Sequence, residues 1–210
     1  MSVVEYYYSA HSAFAYLGSR RLGEIVAAAG RTLVHKPIEL TATIAGAGST
    51  PTRGRSAGHR AYFFGREIER WSEYRNAPVI GGIPSTHAND PGLANRTIIA
   101  ALTQGLNVDR LAHAYLEGHW RFDADLSDRD TVVRLAKDAG YPGEALNEAA
   151  ETQPIFDIYC RNTHEAIERS VFGSPTYFVD GDMFYGQDRL ELLERALLGR
   201  FGGTWPRAEP

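Results

Sequence analysis

The sequence predicts an α/β protein in which a strand–helix–strand unit at the amino end and a strand–strand–helix unit at the carboxyl end are separated by a long helical block. Three observations carry this. Val3–Tyr8 alternates β-branched and aromatic residues and runs on into a helical pattern and a second strand. Thr176–Val179 and Met183–Tyr185 flank Asp180-Gly181, a residue pair suited to a two-residue hairpin turn. Between about residues 42 and 170 apolar side chains recur at helical spacing, with no strand signal of quality.

Each element has a local reason. Ser9-Ala10-His11 follows the first strand as a loop, and Ser12 is a good N-cap for a helix running through Ala29. Leu22, Ile25, Val26 and Ala29 fall at helical spacing, and Gly30 is the stop. Thr32–Ile38, interrupted by Pro37, reads as the second strand, so the first two strands should pair in parallel across the helix. From Leu40 to about Pro51 the chain is rich in Thr, Ala and Gly and reads as an exposed loop. Helical patterns then run through Ala61–Tyr74, Leu93–Gln104, Val108–Trp120 and Asp128–Ala139. Ser127 with Asp130 reads as a weak capping box, and Gly140 as a stop. Pro142 and Pro154 sit where a first helical turn tolerates proline. Trp71 and Trp120 read as core. Asp188–Leu198, apolar at 190, 193, 197 and 198, closes the pattern as a helix, and Gly202–Pro210 reads as a tail.

Composition narrows the function. The 210 residues carry 22 Lys plus Arg against 26 Asp plus Glu, a formal net charge of −4 without a basic block, which argues against nucleic acid or an anionic membrane as partner. The longest uncharged apolar stretch, near Ala10–Ser19, is too short and too rich in Ser and Gly to span a bilayer. Met1–Glu5 lacks the positive start and apolar run of a signal peptide, so a cytoplasmic location is expected. A chain this long buries roughly 70% of its unfolded surface and needs neither disulfide nor metal to fold. Cys160 is the single cysteine, which excludes an internal disulfide; mid-helix by pattern, it reads as a small buried apolar residue. The seven histidines show no HxxxH or HExxH spacing, and Gly46–Thr50 has neither phosphate-loop form, so no metal and no phosphate site is expected.

The split into βαβ and ββα units is the thioredoxin-like arrangement, here with an all-α helical insertion. Residues 1–42 and 168–210 are expected to form the discontinuous thioredoxin-like domain and 43–167 the inserted helical domain, with a ligand cleft at their junction. Thioredoxin-like proteins place their reactive group at the start of the first helix and face it with a cis-proline before the third strand. Ser12 and Pro175 occupy those two places. Unpaired N–H groups and the positive dipole end favour an anion there and lower the pKa of a thiol. Ser12-Ala13-Phe14-Ala15 contains no cysteine, so a thiol acting at this site must come from outside. Two readings stand for Ser12, a hydrogen-bond donor to that thiolate or a plain helix cap. Two also stand for His11, a general acid or base or a loop histidine exposed to water.

The run Val171-Phe172-Gly173-Ser174-Pro175-Thr176-Tyr177-Phe178-Val179-Asp180-Gly181-Asp182-Met183-Phe184-Tyr185-Gly186-Gln187-Asp188-Arg189-Leu190 resembles the C-terminal signature of 2-hydroxychromene-2-carboxylate isomerases. These are relatives of kappa-class glutathione transferases in the DsbA-like branch of the thioredoxin superfamily. Tyr6-Tyr7-Tyr8 and Ser12–Leu17 are similar to that family's first strand and helix start. Asn162-Thr163 with Glu165-Ala166 is similar to the helix before its proline loop. The resemblance implies a glutathione-dependent isomerase, dimeric, acting on a small aromatic carboxylate. A thiolate would add to a conjugated alkene, the bond would rotate, and elimination would restore the thiol. It implies that Ser174 and Pro175 pair with the tripeptide, that Gln187 and Asp188 receive its γ-glutamyl end, and that Arg60, or His59 beside it, meets a carboxylate; read without it, Asp188 is a helix cap and Arg60 a solvated arginine. The same site would serve a kappa-like transferase or peroxidase, or a non-catalytic thiol- or peptide-binding module.

Overall fold

The computed structural model describes residues 3–49, 54–199 and 201–202. β1 (Val3–Tyr8) and β2 (Thr32–Pro37) pair in parallel, Val3 opposite Thr32 through Tyr8 opposite Pro37, connected by α1 (Ala13–Ala28). β3 (Thr176–Val179) lies antiparallel on the other side of β1, and β4 (Asp182–Tyr185) antiparallel to β3, giving the order β2-β1-β3-β4. Asp180 and Gly181 turn the hairpin with φ of 50° and 87°, the two positive values that a tight two-residue turn demands.

The sheet is covered on both faces, which is why Tyr6-Tyr7-Tyr8 reads as an unbroken apolar run. Tyr6 stacks between Tyr8 and Tyr177, at 4.0 and 5.4 Å, and α1 lays Leu17, Leu22 and Ile25 into the same core. On the opposite face Tyr7 and Phe178 pack with Ile38, Ala166 and Val171. Between β2 and β3 run α2 (Leu40–Gly46), α3 (Ala57–Ala61), α4 (Glu67–Arg75), α5 (Gly92–Thr103), α6 (Asp109–Phe122), α7 (Arg129–Asp138), α8 (Gly143–Ala150) and α9 (Gln153–Glu168). α10 (Leu190–Leu197) closes the chain, and no described residue between β2 and β3 is a strand. The helical block is pinned to the sheet by buried His35, whose Nδ1 meets Tyr8 Oη at 2.9 Å and whose Nε2 meets Asp109 at the start of α6 at 2.8 Å.

Several elements depart from the sequence reading. Leu40–Gly46, expected as exposed loop, is helix α2: Glu39 caps it by accepting from the N–H groups of Thr41 and Ala42, and Thr43 is fully buried. Residues 50–53 of that expected loop lie outside the described residues, as do 203–210 of the expected tail. The helix expected from Ala61 starts at Ala57 under a Ser56 cap and passes through a π turn over Tyr62–Arg66 before α4. Asp128, not Ser127, caps α7, accepting from Thr131 N–H at 2.9 Å. The last helix opens with a 3-10 turn, Gln187–Arg189. Cys160 is exposed rather than buried, because the buried side of α9 carries Ile155, Tyr159, Thr163 and Ala166 and leaves residue 160 off that stripe.

Candidate active site at the first helix and the proline loop

Ser12 is extended (φ −75°, ψ 122°) and caps α1, its Oγ accepting from Ala15 N–H at 3.3 Å while its carbonyl accepts from Tyr16 N–H at 3.0 Å. The N–H groups of Ala13 and Phe14 meet no acceptor among the described residues. The proline loop closes on this turn. The Ser174–Pro175 peptide is cis, the Ser12 hydroxyl donates to the Ser174 carbonyl at 3.2 Å, and Ser9 N–H donates to Ser174 Oγ at 3.2 Å. Gly186 N–H donates to the Pro175 carbonyl at 2.9 Å, which brings the end of β4 to the same place.

Two glycines let this loop close. A Cβ on Gly173 would stand 2.4 Å from Tyr185 Cε2, so the Tyr185 ring packs onto a bare Cα, with Phe172 edge-on at 4.7 Å. Gly186 has φ 101°, and a Cβ there would stand 2.3 Å from Asp188 Oδ1. The Asp188 carboxylate is thereby folded back onto Gly186, whose N–H holds the Pro175 carbonyl. Its Oδ2 accepts from Arg189 at 2.5 Å, and it makes no cap to α10. Gln187 is buried; its Oε1 accepts from Arg75 Nε at 3.2 Å, Arg75 in turn pairs with Glu191, and Gln187 Nε2 has no partner among the described residues.

The segment that holds Arg60 and His59 also brings Arg55 near the first turn of α1. Arg60 is exposed on α3, and its guanidinium donates to the Arg55 carbonyl without touching the groups above. Arg55 itself lies over the Phe63 ring at 5.0 Å, and Phe63 packs on Phe14 of the first turn of α1 at 4.8 Å. The Tyr185 hydroxyl titrates above its ordinary value through burial, with Arg55 pulling the other way. His59 stands edge-on to Phe63 at 5.8 Å. The segment that carries Arg55 and His59 has no periodicity from which sequence could place it.

His11 is not a water-exposed loop histidine. It is half-buried, its Nδ1 lies 2.8 Å from Ser9 Oγ, and its ring centre is 5.0 Å from His87 and 6.3 Å from His119. His87 Nδ1 lies 2.9 Å from His119 Nε2, and His119 Nδ1 lies 2.9 Å from the Ala124 carbonyl. Burial, helped by the other two imidazoles, pushes His11 down to about 3; burial and His119 push His87 down to about 4. The three rings are neutral at pH 7. Trp120 Nε1–H donates to the His11 carbonyl at 2.8 Å. Fully buried Asn95 of α5 accepts from Ala10 N–H at 2.8 Å and donates to Ser9 Oγ at 3.1 Å and to Tyr159 Oη at 3.2 Å. None of His87, Asn95, His119 or Arg55 was singled out in the sequence, since each reaches the site only through the fold.

This constellation is that of a thioredoxin-like protein whose first helix opens on two unpaired backbone amides among the described residues and carries no cysteine over residues 12–15. Residues 3–198 match the DSBA-like thioredoxin domain family, and the chain belongs to it. It is similar to the 2-hydroxychromene-2-carboxylate isomerase of Sphingobium xenophagum, 25% identical over 196 residues that cover 93% of this chain and 97% of the relative. It is likewise similar to the Pseudomonas putida protein of that name, 24% identical over 197 residues covering 93% and 94%. Among solved structures, a 2-hydroxychromene-2-carboxylate isomerase matches with a TM-score of 0.77 at 24% identity, covering 94% and 95%. The cytosolic disulfide reductase DsbM of Pseudomonas aeruginosa, solved with GSH, matches with a TM-score of 0.63 at 15% identity, covering 93% and 99%. The resemblance read at residues 171–190 thus extends along almost the whole chain, and the fold is the thioredoxin-like one with many added helices. No helix among the described residues is long and apolar enough to cross a membrane.

Proposed function

We propose that this protein is a glutathione-dependent isomerase of a small aromatic carboxylate, of the kind that interconverts 2-hydroxychromene-2-carboxylate and trans-o-hydroxybenzylidenepyruvate. The observation that carries the reading is a thiolate-binding helix start without a thiol. Ser12 caps α1, two backbone N–H groups are unpaired, Pro175 faces them in the cis form, and residues 12–15 include no cysteine.

The residues present fit a thiol-bearing tripeptide. The unpaired amides of Ala13 and Phe14 suit a sulfur anion, the orphaned Nε2 of Gln187 suits a ligand acceptor, and the Asp188 carboxylate folded onto Gly186 suits an α-ammonium. Ser174 and Pro175 offer backbone to an extended peptide. Bound there, glutathione supplies a nucleophile that adds reversibly to a conjugated alkene and lets the bond rotate. The chain does the rest. The Ser12 hydroxyl, turned from the Ser174 carbonyl, donates to the anion and keeps it ionised. Phe14 and Phe63 form an apolar wall for the aromatic ring, and Arg55 supplies the cation for its carboxylate. Arg60 would join it only by leaving the Arg55 carbonyl.

Calorimetry with glutathione and its S-methyl analogue, followed by turnover of 2-hydroxychromene-2-carboxylate with total thiol counted, tests the reading. The expected result is glutathione binding and interconversion at constant thiol. Thiol consumed in step with turnover would mark a transferase instead, and failure to bind either peptide would defeat the reading.

A further inference from the structure

We infer that His87 and His11 act as a pair at this site, His87 the proton acceptor and His11 the hydrogen-bond donor to the leaving oxygen, with His119 and Ser9 as the positioning residues that fix their tautomers. The inference rests on the isomerase reading above and names groups that reading does not use.

The assignment follows from which atoms can only accept. The Ala124 carbonyl has no proton to give, so His119 Nδ1, 2.9 Å away, carries one. Neutral His119 then has a bare Nε2, which must receive the proton of His87 Nδ1 at 2.9 Å. That leaves His87 Nε2 as a free lone pair. A charge gained there is shared with His119, which Asp123 and Asp125 face. On the other side, Ala10 N–H fixes the Asn95 oxygen, so Asn95 donates its amide proton to Ser9 Oγ. The Ser9 hydroxyl proton is then free for His11 Nδ1 at 2.8 Å, and the His11 proton sits on Nε2. Two half-buried imidazoles with ring centres 5.0 Å apart thus hold opposite tautomers, and one of them, His11, stands one residue before the Ser12 cap. The other groups packed against His87 are His119 and the Trp120 ring.

A ring-closed 2-hydroxychromene is a cyclic hemiketal, and opening it needs this pair. The C2 hydroxyl gives its proton to His87 Nε2 as the C2=O bond forms. The bond from C2 to the ring oxygen breaks with its electron pair going to that oxygen. The oxygen leaves as a phenolate, held by the hydrogen bond from His11 Nε2–H. The proton held by His87 then passes to the phenolate, which becomes a phenol and leaves both rings as they began, with no net proton consumed.

Two substrates test this with the full chain and glutathione: the ring-closed hemiketal, and cis-benzylidenepyruvate without an ortho hydroxyl, which needs alkene rotation alone. H87Q is expected to lower turnover of the hemiketal about 10²-fold, as loss of a general base does, and to affect the open-chain substrate at least tenfold less. H119L should show the same split, and H119N, whose amide oxygen can accept from His87, should recover part of the loss. With no ligand present, ¹⁵N imidazole spectra should show Nδ1–H on His119 and His87 and Nε2–H on His11. Equal losses on both substrates, or a proton on His87 Nε2 in the wild type, would overturn the pair and leave the isomerase reading standing. Wild-type protein that binds glutathione yet turns over neither substrate would sink both.

Discussion

At Ser12 one hydroxyl serves two partners, accepting from Ala15 N–H and donating to the Ser174 carbonyl, and two substitutions separate what it does for stability from what it does for rate. Ser12→Ala removes both. It should cost about 1 kcal/mol of stability as a lost cap, raise the pKa of bound glutathione, and slow turnover about 10²-fold, the scale of a lost oxyanion donor. Ser12→Gly caps nearly as well, so it should keep stability within a few tenths of a kcal/mol while losing the rate. Thiolate absorbance against pH, with denaturant midpoints for both variants, checks the split; an unchanged thiol titration in either would refute the role of the hydroxyl. Ser12 and Pro175 were legible in the sequence because a helix cap and a proline before a strand are local signals. His11 was legible as an unusual residue only. Its surroundings come from Asn95, His87 and His119, and no spacing in the sequence foretells that three distant segments converge.

Among elements, those with a local code were read correctly and those held by packing were not. The parallel β1–β2 pair, the Asp180-Gly181 hairpin and α1 follow from alternation, turn chemistry and capping. Helix α2 does not, because its seven residues are few for a helix and include two Thr and a Gly, and its stability comes from buried Thr43 and contact with α9. The same contrast fixes the sign of two glycine substitutions. Gly23 lies in the middle of α1 with nothing near a prospective Cβ, so Gly23→Ala should stabilise by roughly 0.5–1 kcal/mol. In Gly173→Ala the methyl would meet the Tyr185 ring, and the proline loop should lose about 1–3 kcal/mol. Urea midpoints moving in opposite directions at constant m are the expected result; equal shifts would show that Tyr185 does not rest on Gly173.

For the molecule as a whole, the buried imidazoles set how acid weakens the fold. His11, His87, His113 and His119 all titrate below the ordinary histidine value, with burial the first cause in each case. Near pH 6.5 the unfolded chain therefore takes up protons that the folded chain refuses. Their contribution is fully present above pH 6.5 and is lost as pH falls toward the folded values of about 4 for His87 and about 3 for His11. Each proton taken up only by the unfolded state steepens the loss by about 1.4 kcal/mol per pH unit. Glu165 acts lower on the scale. Burial raises its pKa, but hydrogen bonds from Lys36 and Tyr7 outweigh that and hold the carboxyl below its ordinary range, so its contribution survives above pH 4.5 and goes as that lowered value is crossed. Between pH 6.5 and 4.5 the histidines thus act almost alone. Melting temperature should fall across that interval in the wild type and fall less in the double variant H11Q/H87Q, although the variant starts lower at pH 7.5 for want of its hydrogen bonds. Parallel curves for the two proteins would mean that the cluster accepts protons in the folded state as readily as in the unfolded one, against the downward shift that burial gives His11, His87 and His119.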